Sequence, residues 1–145
     1  MATPFYLDIF GVKQIAAGAT RLLRGLRVRR PKDYVVGLNS RVNQYSDDHL
    51  IMIDVDAVDP AVESALKPLG GILLKSGRGF HFIGHKVICG LQQWHRQLKA
   101  ILRHRKLKMH VDKDHIAISI KRGYSTLRVT ASPVKPTAPC FYKEI

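Results

Sequence analysis

The 145-residue chain is poor in the features that staple, anchor or export a protein. Cysteine occurs only twice, at Cys89 and Cys140, with no CxxC spacing and no Cys/His cluster, so no zinc site is encoded and a reduced, cytosolic protein is expected. No apolar run approaches the roughly 18 residues that span a bilayer. The N-terminus carries Asp8 early and lacks a charged-then-apolar signal pattern, so neither export nor a membrane partner is expected. There is no internal repeat, low-complexity tract or evident linker. Acidic residues are scarce as well, with 11 Asp+Glu against 24 Lys+Arg, a net charge of +13 and a pI near 10.2. Solubility needs far less charge, and the usual partner of so basic a surface is a polyanion; by charge alone nucleic acid comes first and an acidic membrane second, and nucleic acid is the one expected.

What is present is enough for a core. The chain is 46% hydrophobic and 24% charged, as a globular protein is, and its length suits a single domain over residues 1–145. Residues 12–27 place Val12, Ile15, Ala16, Ala19, Leu22, Leu23 and Leu26 at helical spacing, with Arg21 and Arg24 largely off that stripe. The overlapping segment IAAGATRLLRGLRVRR is basic and acid-free like a mitochondrial presequence, but it follows FYLDIF instead of opening the chain. Pro31 ends this helix. YVVGL, residues 34–38, reads as a strand, and HLIMIDVDAV, residues 49–58, as a central strand covered on both faces. DPAVESALKPLG reads as a short helix with Asp59 as N-cap and Pro60 at its first position.

ILLK and FHFIG, joined by SGRG, form an expected hairpin. A second amphipathic helix is expected from Lys86 to about Arg105, carrying Arg96, Lys99 and Arg103 on a basic face. A third is expected from Asp112 to Lys121, followed by a strand over residues 124–131 and an irregular tail over 133–145 with Pro133, Pro136 and Pro139.

Six of the eleven acids lie between positions 47 and 63. In Asp54-Val55-Asp56 two carboxylates two residues apart share one face of a strand. Like charges this close are costly unless a cation lies between them, and the oxygen donors suit Mg²⁺ or Mn²⁺. Capping of the next helix or pairing with arginines explains the pair as well. In Ser76-Gly77-Arg78-Gly79-Phe80-His81 a glycine turn lets backbone N–H groups approach a phosphate, Arg78 supplies charge and His81 a ring nitrogen; a plain hairpin with a satisfied histidine reads equally. Asp112 or Asp114 could complete a metal triad, with Lys121, Arg122 and Arg128 as phosphate donors, or simply cap a surface helix.

Taken in order, IDVD, SGRGFH and VDKDHIAISIKRGYSTLRV resemble the motifs of the archaeo-eukaryotic primase superfamily, the primase-polymerases. That family's pattern is an hhhDhD strand, a Ser-Gly-x-Gly-x-His or Ser-x-His strand motif, and a hydrophobic-Asp motif followed by a Leu-Arg strand. The matching residues are Asp54 and Asp56, Ser76 and His81, then Asp112 after Val111, with Leu127-Arg128 downstream, so the resemblance spans residues 49–132. It implies an α/β (α+β) fold with an RRM-like antiparallel sheet and packed helices, and template-directed nucleotidyl transfer. It further implies Mg²⁺ or Mn²⁺ on Asp54, Asp56 and Asp112 (or Asp114), and a nucleoside triphosphate on Ser76, Arg78, His81 and Arg128. The DNA template, or an RNA one, would lie on Arg21, Arg24, Arg96, Lys99, Arg103, Lys121 and Arg122. Replication proteins are the implied partners, and the setting a nucleoid or viral replication site, with a virus, plasmid or other mobile element as the source of so compact a protein.

Two other readings remain open. A non-catalytic RRM-like nucleic-acid binder or primase-complex subunit would use aromatics on two central strands, whereas Phe80 and Phe82 supply one strand only. A rolling-circle endonuclease needs a His-hydrophobic-His pair and a helical tyrosine. FHFIGH instead separates His81 and His85 by four positions, and Tyr124 sits in a strand-like context.

Overall fold

The structure, a computed structural model, describes residues 5–9, 34–43, 45–129, 135 and 137–145; the helix expected over residues 12–27, with Arg21 and Arg24, lies outside the described residues. The elements run β1 (Phe5–Ile9), β2 (Tyr34–Asn39), β3 (His49–Val55), α1 (Pro60–Leu66), β4 (Gly71–Ser76), β5 (Gly79–Ile88), α2 (Leu91–Arg103), α3 (Lys113–Arg122), β6 (Thr126–Arg128) and β7 (Cys140–Glu144). The fold is therefore mixed α+β, with two sheets: β1-β2-β6, parallel then antiparallel, and the antiparallel β3-β5-β4-β7. Among the described residues no helix is long and apolar enough to cross a membrane.

The apolar run of β3 is buried on both faces. Ile51, Ile53 and Val55 pack with Leu73 and Phe82 under Val62, Leu66, Trp94, Leu98, Ile101 and Ile116 of α1, α2 and α3. Leu50 and Met52 point the other way, into a second cluster of Leu38, Ile72, Leu74, Ile83, Leu127 and Val129 between the sheets. Burial on both faces removes the period-2 alternation, which explains the uninterrupted run. It does not make β3 central: β3 is the outer strand of its sheet. Its open edge is answered at one end by Leu50 N–H to Ser40 O (2.8 Å) and at the other by Asp56 N–H to His110 O (2.6 Å) and Asp112 N–H to Asp54 O (3.0 Å).

Several boundaries differ from the sequence reading. β3 stops at Val55 and β6 holds only three residues. Val87 and Ile88, assigned above to a helix beginning at Lys86, continue β5, and α2 starts at Leu91 after Gly90 takes a positive φ of 84°. Cys89 thus lies between elements, exposed. The tail is not irregular throughout, because residues 140–144 add β7 to the edge of β4, and Gly71 and Ile145 exchange backbone hydrogen bonds of 2.8 Å in both directions. An edge strand offers unpaired donors and acceptors, and the C-terminal segment satisfies them.

The two sheets meet at Ser40. Its N–H donates to Ser125 O (2.9 Å), its Oγ accepts from Ser125 N–H (2.9 Å), and its hydroxyl bonds His49 Nδ1 (2.8 Å). His49 is fully buried and stacked on Trp94, with ring centres 4.2 Å apart. Burial, helped by the charge of Arg41, lowers its pKa from 6.5 to about 4. Between those two values the unfolded chain binds the proton and the folded one does not. Stability contributed by the neutral ring is complete above about pH 6.5, and about 3 kcal/mol of it should be lost as the pH falls to about 4. Urea unfolding across pH 4 to 7 measures this, and a His49→Phe variant should flatten the slope. An unchanged slope in that variant would assign the pH dependence elsewhere.

Candidate active site

The C-terminal end of β3 carries the acids out of the core. Asp54 is half-buried and Asp56, one residue past the strand, is exposed. Directly opposite Asp54 in the ladder stands His81 of β5, and its Nε2 lies 2.9 Å from Asp54 Oδ1. A carboxylate only accepts, so Nε2 carries the proton. Burial pushes the Asp54 carboxyl up, but the His81 hydrogen bond, with the charges of His81, His115 and Lys135, outweighs it and holds the pKa below the ordinary value. Asp54 is therefore ionised throughout the neutral range.

The hairpin closes one side. Ser76 and Gly79 pair across a two-residue loop of Gly77 and Arg78. Gly77 adopts φ 59°, which glycine takes without the Cβ clash, and Arg78 is held at the exposed tip. A Cβ at Gly79 would sit 3.0 Å from Val55 O, so glycine there lets the hairpin lie close against the end of β3. Asp112 forms the other side. It is the N-cap of α3, accepting from His115 N–H through Oδ1 (3.0 Å), while its own N–H to Asp54 O ties that helix to β3. Arg128, from the other sheet, donates to Ser76 Oγ (3.2 Å) and to Thr137 O (2.8 Å).

These groups line one open cleft of about 700 Å³, together with Val55, Gly77, Gly79, Phe80, Lys135 and Thr137. Asp54, Asp56, Ser76, Arg78, His81, Asp112 and Arg128, all named from sequence, converge there. Of the two third carboxylates left open, Asp112 lines the cleft and Asp114 lies exposed in the first turn of α3. Arg96, Lys99, Arg103, Lys121 and Arg122 are exposed on α2 and α3 and do not line the cleft.

His81 stands directly beside Asp54 because the two are cross-strand neighbours. Phe80 and Phe82 turn to the helix side, with Phe82 in the core. Lys135 and Thr137 were not foreseen. They reach the cleft because β7 docks on β4, a pairing between segments far apart in sequence, and the proline spacing before them carries no period that marks it.

The donor set is chemically suited to a hard divalent cation: three carboxylates line one cleft, and the Asp56 carboxylate makes no hydrogen bond or ion pair among the described residues. It is not preassembled. Among the described residues no group of three or more Asp, Glu, His or Cys side chains stands in a metal-holding arrangement. One oxygen of Asp54 is engaged by His81 and one of Asp112 by the helix cap, which leaves the second oxygen of each for a ligand.

A family model described as archaeo-eukaryotic primase 1D-like, within the AEP-like group, matches residues 18–139. No curated protein and no solved structure matches the chain at a significant level.

Proposed function

The chain belongs to the AEP-like, archaeo-eukaryotic primase 1D-like family, and from that premise we propose that it is a template-dependent nucleotidyltransferase, a primase or primase-polymerase, acting at the cleft of Asp54, Asp56 and Asp112. The observation that carries the proposal is the convergence of six motif residues, with Arg78 beside them, on one cleft, from both sheets and a helix N-terminus. The mixed sheet-and-helix architecture is compatible with an RRM-like primase core.

In the proposed reaction a 3′-hydroxyl oxygen attacks the α-phosphorus of an incoming triphosphate. The new bond joins the 3′-oxygen to that phosphorus, the hydroxyl proton passes to solvent, the bond to the β-phosphate bridging oxygen breaks, and pyrophosphate leaves. Asp54, Asp56 and Asp112 would hold Mg²⁺ or Mn²⁺, which supplies charge to the attacking and leaving oxygens when bound. Arg78 and the hairpin N–H groups would bind the triphosphate, with Ser76 and Arg128 beside them. His81 keeps Asp54 ionised and fixes its orientation, and its part in triphosphate binding would follow entry of the nucleotide. The exposed cations of α2 and α3 would attract the template backbone and make binding salt-sensitive.

The test is an extension assay with primed and unprimed templates, Mg²⁺ or Mn²⁺, and NTPs or dNTPs. Incorporation that depends on template and metal is expected. Binding without incorporation under every combination would leave the binder or primase-subunit reading in its place.

A further inference from the structure

At the end of β3 remote from the cleft the chain gathers a second set of cations. The Arg41 guanidinium carbon lies 5.1 Å from the centre of the Tyr124 ring, and that of Arg122 lies 4.4 Å from the same centre. Arg122 Nε also donates to Tyr124 O (2.9 Å), and Arg41 N–H donates to Asn39 Oδ1 (2.9 Å). Arg41 follows Ser40 and Tyr124 precedes Ser125, the two serines that join the sheets. The hydrogen bonds between Ser40 and Ser125 thus hold the backbone of Arg41 close to that of Tyr124. Among the described residues neither forms an ion pair with a carboxylate.

Each contact with the ring is worth roughly 0.5–1 kcal/mol at an exposed site, whereas two like charges held close repel unless an anion sits with them. The planar forks of two arginines match phosphate oxygens, and the ring they share holds the forks near one another. A nucleic-acid strand offers such oxygens at successive steps, so it can engage both forks and the cleft at once, which a free phosphate ion cannot.

We propose that Arg41, Tyr124 and Arg122 form a phosphodiester-binding site separate from the cleft, an outlying grip on the strand being copied or extended; this rests on the polymerising reading of the cleft. Arg41 pairs with His49, and Asp54 lies five residues further along β3. The separation is therefore about 17 Å along the strand, about five steps at the rise of a stacked strand and fewer for an extended one. A dinucleotide cannot hold both places at once.

The experiment is fluorescence anisotropy of labelled single-stranded oligonucleotides of about 2 and about 20 nucleotides, titrated over a range of salt. The probes are the wild type, the Arg41→Gln/Arg122→Gln double variant and each single variant. On the long oligonucleotide the dependence of log K on log salt should become shallower by about 1.4 in the double variant and by about 0.7 in each single one. The short oligonucleotide should show no such change. Arg41→Lys/Arg122→Lys should restore most of the slope, and the singles carry the test if the double variant does not fold. An unchanged slope in a folded variant overturns the site, as does an equal loss on both lengths. If the wild type binds neither oligonucleotide, the reading of the cleft falls with it.

Discussion

Replacing Asp54 with alanine should reduce nucleotide incorporation by at least about 10³-fold, because stabilisation of the transferring phosphoryl charge is worth several kcal/mol and each 1.36 kcal/mol is tenfold in rate. Template affinity should stay the same or rise, since the variant removes a negative charge from a protein of net charge +13. The opposite movement of the two quantities is what makes the result informative. A misfolded variant would lose both, and a phosphate-binding residue would lose affinity. Asp56→Ala should behave alike, and its exposure makes a folding defect a poor explanation. Activity within tenfold of wild type in either variant would remove the carboxylates from the chemistry. Single-turnover incorporation and oligonucleotide binding on the same preparations decide it.

The largest effect on stability is expected at Trp94. Its side chain is fully buried among Leu66, Leu98 and the helix face of β3, its ring stacks on His49, and Nε1–H donates to Leu50 O at 3.0 Å. Trp94→Ala should cost about 3–5 kcal/mol from lost burial and the cavity left behind, a large share of what a domain of this size has. The carbonyl of Leu50 would lose its indole donor as well. Trp94→Phe should retain much of the packing and lose the hydrogen bond, so its loss should be intermediate. Urea midpoints for the three proteins test the order; a Trp94→Ala variant within 1 kcal/mol of wild type would mean the core closes over the gap.

The parts of the site that sequence revealed are those whose geometry is local. Two aspartates two apart share a strand face whatever the fold, and Gly77 with Gly79 dictates a tight hairpin beside Ser76. Asp112 was ambiguous for a physical reason: the same carboxylate that lines the cleft also caps α3, and sequence cannot say whether one oxygen is left over. Val87 and Ile88 suit a helix as well as a strand, because two adjacent apolar residues fit either period, and the positive φ at Gly90 marks where strand gives way to helix. The docking of residues 140–144 on β4 was hidden for a different reason. It depends on an open edge that exists only once β4 and β5 have paired.

Asp54 and His81 belong to the four-stranded sheet and Arg128 to the three-stranded one, with Ser40 where the two meet. A ligand held by both sides is then a brace across a joint, and the reach of the cleft follows the angle at which that joint is set. Ser40 takes no part in the chemistry. It ties the two sheets together, so a substitution there should change the grip on a nucleotide without altering a single group that touches it.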